Sequence, residues 1–211
     1  MKGLIIFDFD GVLADSFNTF YPLLRDAMKD AGLSLTPDQY RNLFMGNVHQ
    51  GIKEFVGDDK KYKTAMEFRN SNYDKYYYDK RRQAKLFPEA VKFLKEVSKS
   101  YILTVASSGR EDNIKNLLEK SGIKELFGAI LANAETSKEG MVKEILAKFK
   151  ILPKEIVFIT DTVGDIKVAK KCGLKTIAVT WGFHSEEMLR SAKPDFTAKS
   201  FKEIQKILNK N

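Results

Sequence analysis

Six oxygen-bearing side chains concentrate the chemistry of this 211-residue chain: Asp8 and Asp10, Ser107 and Ser108, and Asp161 and Asp165. Each pair follows a short apolar run, Leu4 to Phe7, Tyr101 to Ala106, and Ile156 to Thr160. Runs of this length and composition read as buried parallel strands. Ligands of open parallel sheets bind beyond the carboxyl ends of the strands, so the six side chains are expected to converge on one edge. Clustered carboxylates repel one another and need a cation. Oxygen donors without His or Cys suit Mg²⁺, which keeps positions open for phosphate oxygens. Asp8 and Asp10 are two apart, so an extended strand end points both the same way. One can serve as metal ligand and nucleophile, the other as proton donor to a leaving group. The Ser107 hydroxyl and a nearby lysine can hold a transferring phosphoryl group. A single acid at a strand end is more often a helix cap or a solvated loop residue, but that reading does not explain an ordered set of four.

The elements needed to position these residues are legible in the hydrophobic pattern. After the first strand, Phe17, Phe20, Leu24, Met28 and Ala31 fall at helical spacing, with Gly32 closing the helix. Thr36-Pro37 reads as an N-cap followed by proline at the first helical position of a helix ending at Gly46. A short helix is expected over Val48 to Val56, and a longer one over 59–82 with interleaved Tyr and Lys. From residue 86 onward strands and helices alternate, with strands at 101–106, 129–132, 156–160 and 176–179, a weak one at Phe196, and a last helix from Phe201 to Leu208. This rhythm predicts an α/β fold, a Rossmann-like parallel sheet with helices on both faces. The expected division is a core of residues 1–15 and 86–211, with residues 16–85 forming an inserted all-helical cap.

Composition narrows the possibilities. Hydrophobic residues make up 43% and charged residues 30%, which excludes disorder and collagen-like repeats. The single cysteine, Cys172, excludes a disulfide framework and a multi-cysteine zinc site. The excess of 36 basic over 28 acidic residues, +8, attracts anions. Charge alone does not choose among nucleic acid, a membrane surface and phosphorylated metabolites. No apolar stretch approaches the roughly 18 residues of a membrane span. The run after Met1 is too short for a signal peptide, so the cytoplasm is the expected compartment.

Asp8-Phe9-Asp10-Gly11-Val12-Leu13-Ala14-Asp15-Ser16 resembles the first motif of the haloacid dehalogenase superfamily. Ser107 matches the second motif. Thr160-Asp161-Thr162-Val163-Gly164-Asp165 matches the fourth, with Thr160 where glycine is commoner. Lys138 lies where the third motif's lysine is expected, although Glu139 follows it where the family often has proline; Lys143 is the alternative. The insert resembles the helical cap of the phosphoglycolate phosphatase-like branch, and Val179 to Phe183 is similar to a segment of that branch. The resemblance implies an aspartyl-phosphate on Asp8, which would also bind Mg²⁺. It implies that Asp10 protonates the leaving oxygen, then activates water, and lends its backbone carbonyl to the metal. Ser107, with Ser108 beside it, and Lys138 would hold phosphate. Asp161 would bind Mg²⁺ directly and Asp165 mainly from behind. Gly11 and the turn after it would help the site open and close. Dehalogenase members lack the second Asp, so Asp10 implies phosphoryl transfer, with a small phosphorylated metabolite as substrate.

Two other functions compete with a phosphatase. A phosphosugar mutase resembling β-phosphoglucomutase shares the Asp pair and the cap, and His49 stands where such a cap carries a basic residue; a surface histidine is the plainer reading. The basic, tyrosine-rich stretch from Lys60 to Lys85 could stack on nucleic acid. An amphipathic helix with packed tyrosines and wet lysines is preferred, and no nucleic-acid or membrane partner is expected. Arg110, beside the Ser107 site, is a candidate substrate contact. Cys172 is read as a small packed residue, His184 as a loop residue, and Trp181 as either site entrance or packing.

Overall fold

The computed structural model describes residues 3–133 and 136–210. Strand β1 (Gly3–Phe7) leads through a turn to the two-residue strand β2 (Ala14–Asp15). Four helices follow: α1 (Phe17–Asp30), α2 (Pro37–Asn42) with a 3₁₀ turn at Leu43–Met45, α3 (Val48–Val56) and α4 (Asp59–Tyr77). Strand β3 (Lys85–Leu86) pairs with β2. Then come α5 (Ala90–Val97), β4 (Tyr101–Ser107), α6 (Glu111–Lys120), β5 (Phe127–Ala132), α7 (Lys138–Phe149), β6 (Ile156–Thr160) and α8 (Val163–Lys171). The chain finishes with β7 (Lys175–Val179), α9 (Glu186–Ser191), β8 (Phe196–Ala198) and α10 (Phe201–Leu208). It divides into two compact units, Met1–Ala14 with Leu86–Asn211, and Asp15–Lys85.

The first unit is built on a six-stranded sheet of order β5-β4-β1-β6-β7-β8, with every pairing parallel. Alternation along β1 supplies both faces. Ile5 and Phe7 join the layer with Phe93 and Leu94 of α5, Ile114 and Leu118 of α6, and Phe201 and Ile204 of α10. Leu4 and Ile6 join the opposite layer with Met141, Val142 and Ile145 of α7 and Ala169 of α8. Burial on both faces explains why the strands read as continuous apolar runs rather than alternating ones.

The second unit is helical. Thr36 and Gln39 form a capping box that starts α2, and Asp58 caps α4 through the Lys61 amide. Tyr73 and Tyr77 of α4 pack on Leu23 and Phe20 of α1, and Tyr76 donates to Asp26 Oδ2 at 2.5 Å. Lys60, Lys61, Lys63 and Lys75 lie exposed. Helix α4 ends at Tyr77 rather than continuing to residue 82. Just beyond it, Asp79 accepts the Arg81 amide at 3.0 Å and the Arg81 guanidinium at 3.1 and 3.0 Å, a local alternative to the helical ladder. Strand β5 begins at Phe127, two residues before the apolar run expected there, with the Phe127 ring edge-on to Phe7 at 6.5 Å. Among the described residues, no helix is long and apolar enough to cross a membrane.

Phe158 of β6 is fully buried. Phe158→Ala is expected to cost about 3–5 kcal/mol of stability, read from the urea midpoint.

Candidate active site

The strand order reverses at β1. The chain passes from β1 outward to β4 and β5 on one side, then returns to β6, β7 and β8 on the other. The carboxyl end of β1 is therefore the topological switch point, where an open α/β sheet has its crevice. Asp8 leaves β1 there, its amide donating to the Ile159 carbonyl of β6 at 2.9 Å. Ser107 ends β4 on one flank and Asp161 follows β6 on the other.

Lys138, the first residue of α7, reaches into this edge. Its Nζ donates to Asp8 Oδ1 at 2.8 Å and to the Ala106 carbonyl at 2.9 Å, and it pairs with Asp165 Oδ2 at 3.0 Å. Asp8 Oδ1 also accepts the Phe9 amide at 2.8 Å. Burial raises the Asp8 carboxyl to about 7, against the pull of the Lys138 ammonium. Burial works against the Lys138 ammonium too, but Asp165 and Asp8 outweigh it and hold the group above the ordinary lysine range. Lys143 is elsewhere: exposed, and paired with Glu139 at 2.7 Å.

Asp161 is fully buried. Its Oδ2 accepts the Phe183 amide at 2.6 Å, while its Oδ1 is enclosed without a hydrogen-bond partner. Burial first, then the neighbouring Asp8, push its carboxyl well above the usual carboxylate range. Glycine is required around it. At Gly11, φ is +81°, and a Cβ there would overlap the Asp161 carboxylate and meet the Phe183 ring at 3.0 Å. A Cβ at Gly182 would overlap Asp161 as well. Buried His184 holds the same turn. Its amide donates to the Asp161 carbonyl at 3.3 Å, and its Nδ1 accepts the Val163 amide at the start of α8 at 3.0 Å.

Asp10 is half-buried, and its Oδ2 lies 3.2 Å from where a Cβ would stand on Gly109, with Ser107 Oγ 3.3 Å from the same point. The Gly109 amide donates to Ser107 Oγ at 3.0 Å. Ser108 follows, half-buried, and Arg110 is exposed at the N-cap of α6. Arg110 helps line a cleft of about 540 Å³ with Gly109, Lys115 and Asn133. His49 belongs to the helical unit, on α3, with its Nε2 enclosed and unpartnered. Burial, and then Arg69, lower its pKa. Trp181 packs on Phe201 at 5.0 Å and Phe87 at 6.4 Å, and its Nε1 donates to the Val12 carbonyl. Cys172 caps the end of α8, half-buried against the layer that holds Met141 and Ile145.

The four aspartates expected to share a cation do not close into a ready cage. Among the described residues, no group of three or more acidic, His or Cys side chains is placed to hold a metal. Asp165 turns its Oδ2 to Lys138 and to the Thr160 hydroxyl instead. The donor set still fits Mg²⁺, which is often bound by only one or two carboxylates together with water and substrate phosphate. One ammonium serves Asp8 and Asp165, and Asp161 keeps an oxygen that nothing satisfies. The sequence reading gave Thr160, Gly182 and His184 no place at the site. Thr160 could be flagged only as a departure from glycine, and nothing in the pattern marked His184 as buried.

A family model described as haloacid dehalogenase-like hydrolase matches residues 5–179. The chain belongs to that family. It is a hydrolase, similar along nearly its whole length to phosphatases. A phosphoglycolate phosphatase of Synechococcus elongatus is 26% identical over 195 residues, covering 91% of this chain and 90% of that protein. One from Aquifex aeolicus is 26% identical over 212 residues, covering 98% and 96%. The fold matches the crystal structure of a predicted phosphatase from Clostridium acetobutylicum, with a TM-score of 0.85, 21% identity and full coverage of both chains. It also matches a haloacid dehalogenase-like protein from Streptococcus pneumoniae at TM-score 0.84 and 23% identity, covering 98% of each chain.

Gly11→Ala is expected to cost about 3 kcal/mol or more, because left-handed strain and overlap with Asp161 act together. Gly122→Ala, at φ +66° with open space around it, is expected to cost only the conformational share, about 1–2 kcal/mol. Denaturant unfolding of the two variants checks the difference.

Proposed function

We propose that this chain is a Mg²⁺-dependent phosphatase of small phosphate monoesters that works through an aspartyl-phosphate on Asp8. The observation that supports this best is the Asp8 carboxylate, gripped by Lys138 at the switch point beside the unsatisfied oxygen of Asp161. Asp8, Asp161 and the Asp10 carbonyl would hold the metal, which would supply positive charge against the phosphate oxygens. Asp8 attacks phosphorus as the ester P–O bond breaks, and Asp10 gives its proton to the departing oxygen. Asp10, now a carboxylate, takes a proton from water as that water attacks the aspartyl-phosphate. Phosphate leaves and Asp8 is restored.

Lys138 neutralises transferring phosphoryl oxygens while orienting Asp8, and Ser107, with Ser108 next to it, donates to them. The helical unit serves as a cap that excludes water during attack and reopens for release. Arg110, at its cleft, and His49, on that cap, are candidate contacts for the rest of the substrate. The relatives named for phosphoglycolate make a small phosphorylated carboxylic acid the first candidate. The cytoplasm is the proposed compartment.

The test is phosphate release across a panel of phosphorylated metabolites, with Mg²⁺ and with chelator. Strong Mg²⁺-dependent release from one compound is expected, abolished in Asp8→Asn with the fold intact. Asp10→Asn is expected to lower kcat by about 10²–10⁴-fold, the usual share of an acid–base group. Exchange of phosphate between sugars without net release would replace the phosphatase by a mutase. Retained kinetics in Asp8→Asn would remove the nucleophile assignment.

A further inference from the structure

Thr160 ends β6 directly before Asp161 and is fully buried. Its Oγ1 donates to Asp165 Oδ2 at 3.2 Å and accepts the Thr162 amide at 3.2 Å. Asp165 lies in the first turn of α8, where its own amide is capped by Thr162 Oγ1 at 3.4 Å. The carboxylate oxygen that receives the Thr160 hydroxyl is the one that pairs with Lys138 at 3.0 Å. Lys138 in turn donates to Asp8 Oδ1. A continuous chain therefore runs from the Thr160 hydroxyl through Asp165 and Lys138 to the proposed nucleophile.

We infer that Thr160 is a positioning residue for phosphoryl transfer: its hydroxyl fixes the rotation of the Asp165 carboxylate and thereby the place of the Lys138 ammonium against Asp8. The inference rests on the phosphatase reading above. The chemistry favours a hydroxyl here over any other small group. Asp165 Oδ2 needs a donor and the Thr162 amide needs an acceptor, and one hydroxyl serves both. Glycine, alanine or valine would leave both unmet inside the protein, where unpaired polar groups are costly. Without this donor the Asp165 carboxyl is held only from the Lys138 side and is free to turn, carrying Lys138 with it. A hydrogen bond fixed on a group that itself orients a reacting group acts in the same way as the supporting contacts of metal ligands.

The test compares Thr160→Val, which keeps the shape and removes the hydroxyl, with Thr160→Ser, which keeps the hydroxyl. Thr160→Ala stands in if the valine variant does not fold by circular dichroism. The substrate is whichever panel compound the wild type hydrolyses. Thr160→Val is expected to lower kcat about tenfold to a hundredfold with KM nearly unchanged, and Thr160→Ser to restore most of it. A second readout needs neither metal nor turnover: the ¹⁵Nζ resonance of the Lys138 ammonium in the metal-free protein, assigned with Lys138→Met. It is expected to move in Thr160→Val and return in Thr160→Ser. A folded valine variant with wild-type kcat and an unmoved ammonium signal would overturn the proposal. So would a serine variant as impaired as the valine one. If the wild type releases no phosphate from any compound, the phosphatase reading fails, and the ammonium signal still decides whether Thr160 positions Lys138.

Discussion

One buried ammonium shared between two buried carboxylates is the interaction on which this site depends. Lys138 meets Asp8 at 2.8 Å and Asp165 at 3.0 Å, where each side chain is about nine-tenths shielded. Taking any of these charges out of water is expensive, and removing one partner strands the others. Helix polarity makes the arrangement harder still. Lys138 opens α7, and a cation is disfavoured at the positive end of a helix. The residue is kept there by the carboxylates it reaches. Glu139, in the same turn, adds local compensation, paired with Lys143 one turn on and with Lys171 at the end of α8. A local rule broken in favour of a tertiary contact is what a functional position looks like in an otherwise consistent sequence.

The sheet exists, in this sense, to bring those groups together. No two of Asp8, Ser107, Lys138 and Asp161 are near in sequence; Asp8, Ser107 and Asp161 stand at strand ends on one edge of the sheet, and Lys138 opens α7. Parallel pairing puts every strand's carboxyl end on that edge. Order reversal at β1 then opens the crevice beside Asp8. The turn that holds Asp161 can approach because Gly11 and Gly182 carry no side chain. His184 then ties that turn to the start of α8.

Much of this was legible in the chain itself, because strands buried on both faces leave continuous apolar runs, and the runs of β1, β4 and β6 are each followed by a pair of oxygen-bearing side chains. Legibility failed where the deciding contacts are tertiary or too short to have a period. Strands β2 and β3 are two residues each and leave no pattern. Asp79 ends α4 through side-chain bonds to Arg81 that no periodicity reports. Lys138 and Lys143 lie on one helix five residues apart, and spacing alone could not separate them; the carboxylates across the sheet edge do. In the strand pattern Thr160 is one more β-branched residue, and only its contacts with Asp165 and the Thr162 amide give the hydroxyl a use.

Charge has opposite meanings at the two length scales. Over the whole chain the balance is +8, a field that draws anions from solution. Screening confines that attraction to a Debye length of about 8 Å at physiological salt. Inside the site the sign reverses. Asp8, Asp161 and Asp165 stand against the single ammonium of Lys138, with Asp10 a short step away, so a phosphate dianion arriving there meets excess negative charge. Lys138 alone cannot cancel it, because its one positive charge is already shared between Asp8 and Asp165. The Asp161 carboxyl, pushed well above the usual carboxylate range by burial first and then by Asp8, carries the mark of that deficit. On the phosphatase reading proposed above, the site is balanced for phosphate only with a further positive charge, and its oxygen donors suit a cation such as Mg²⁺.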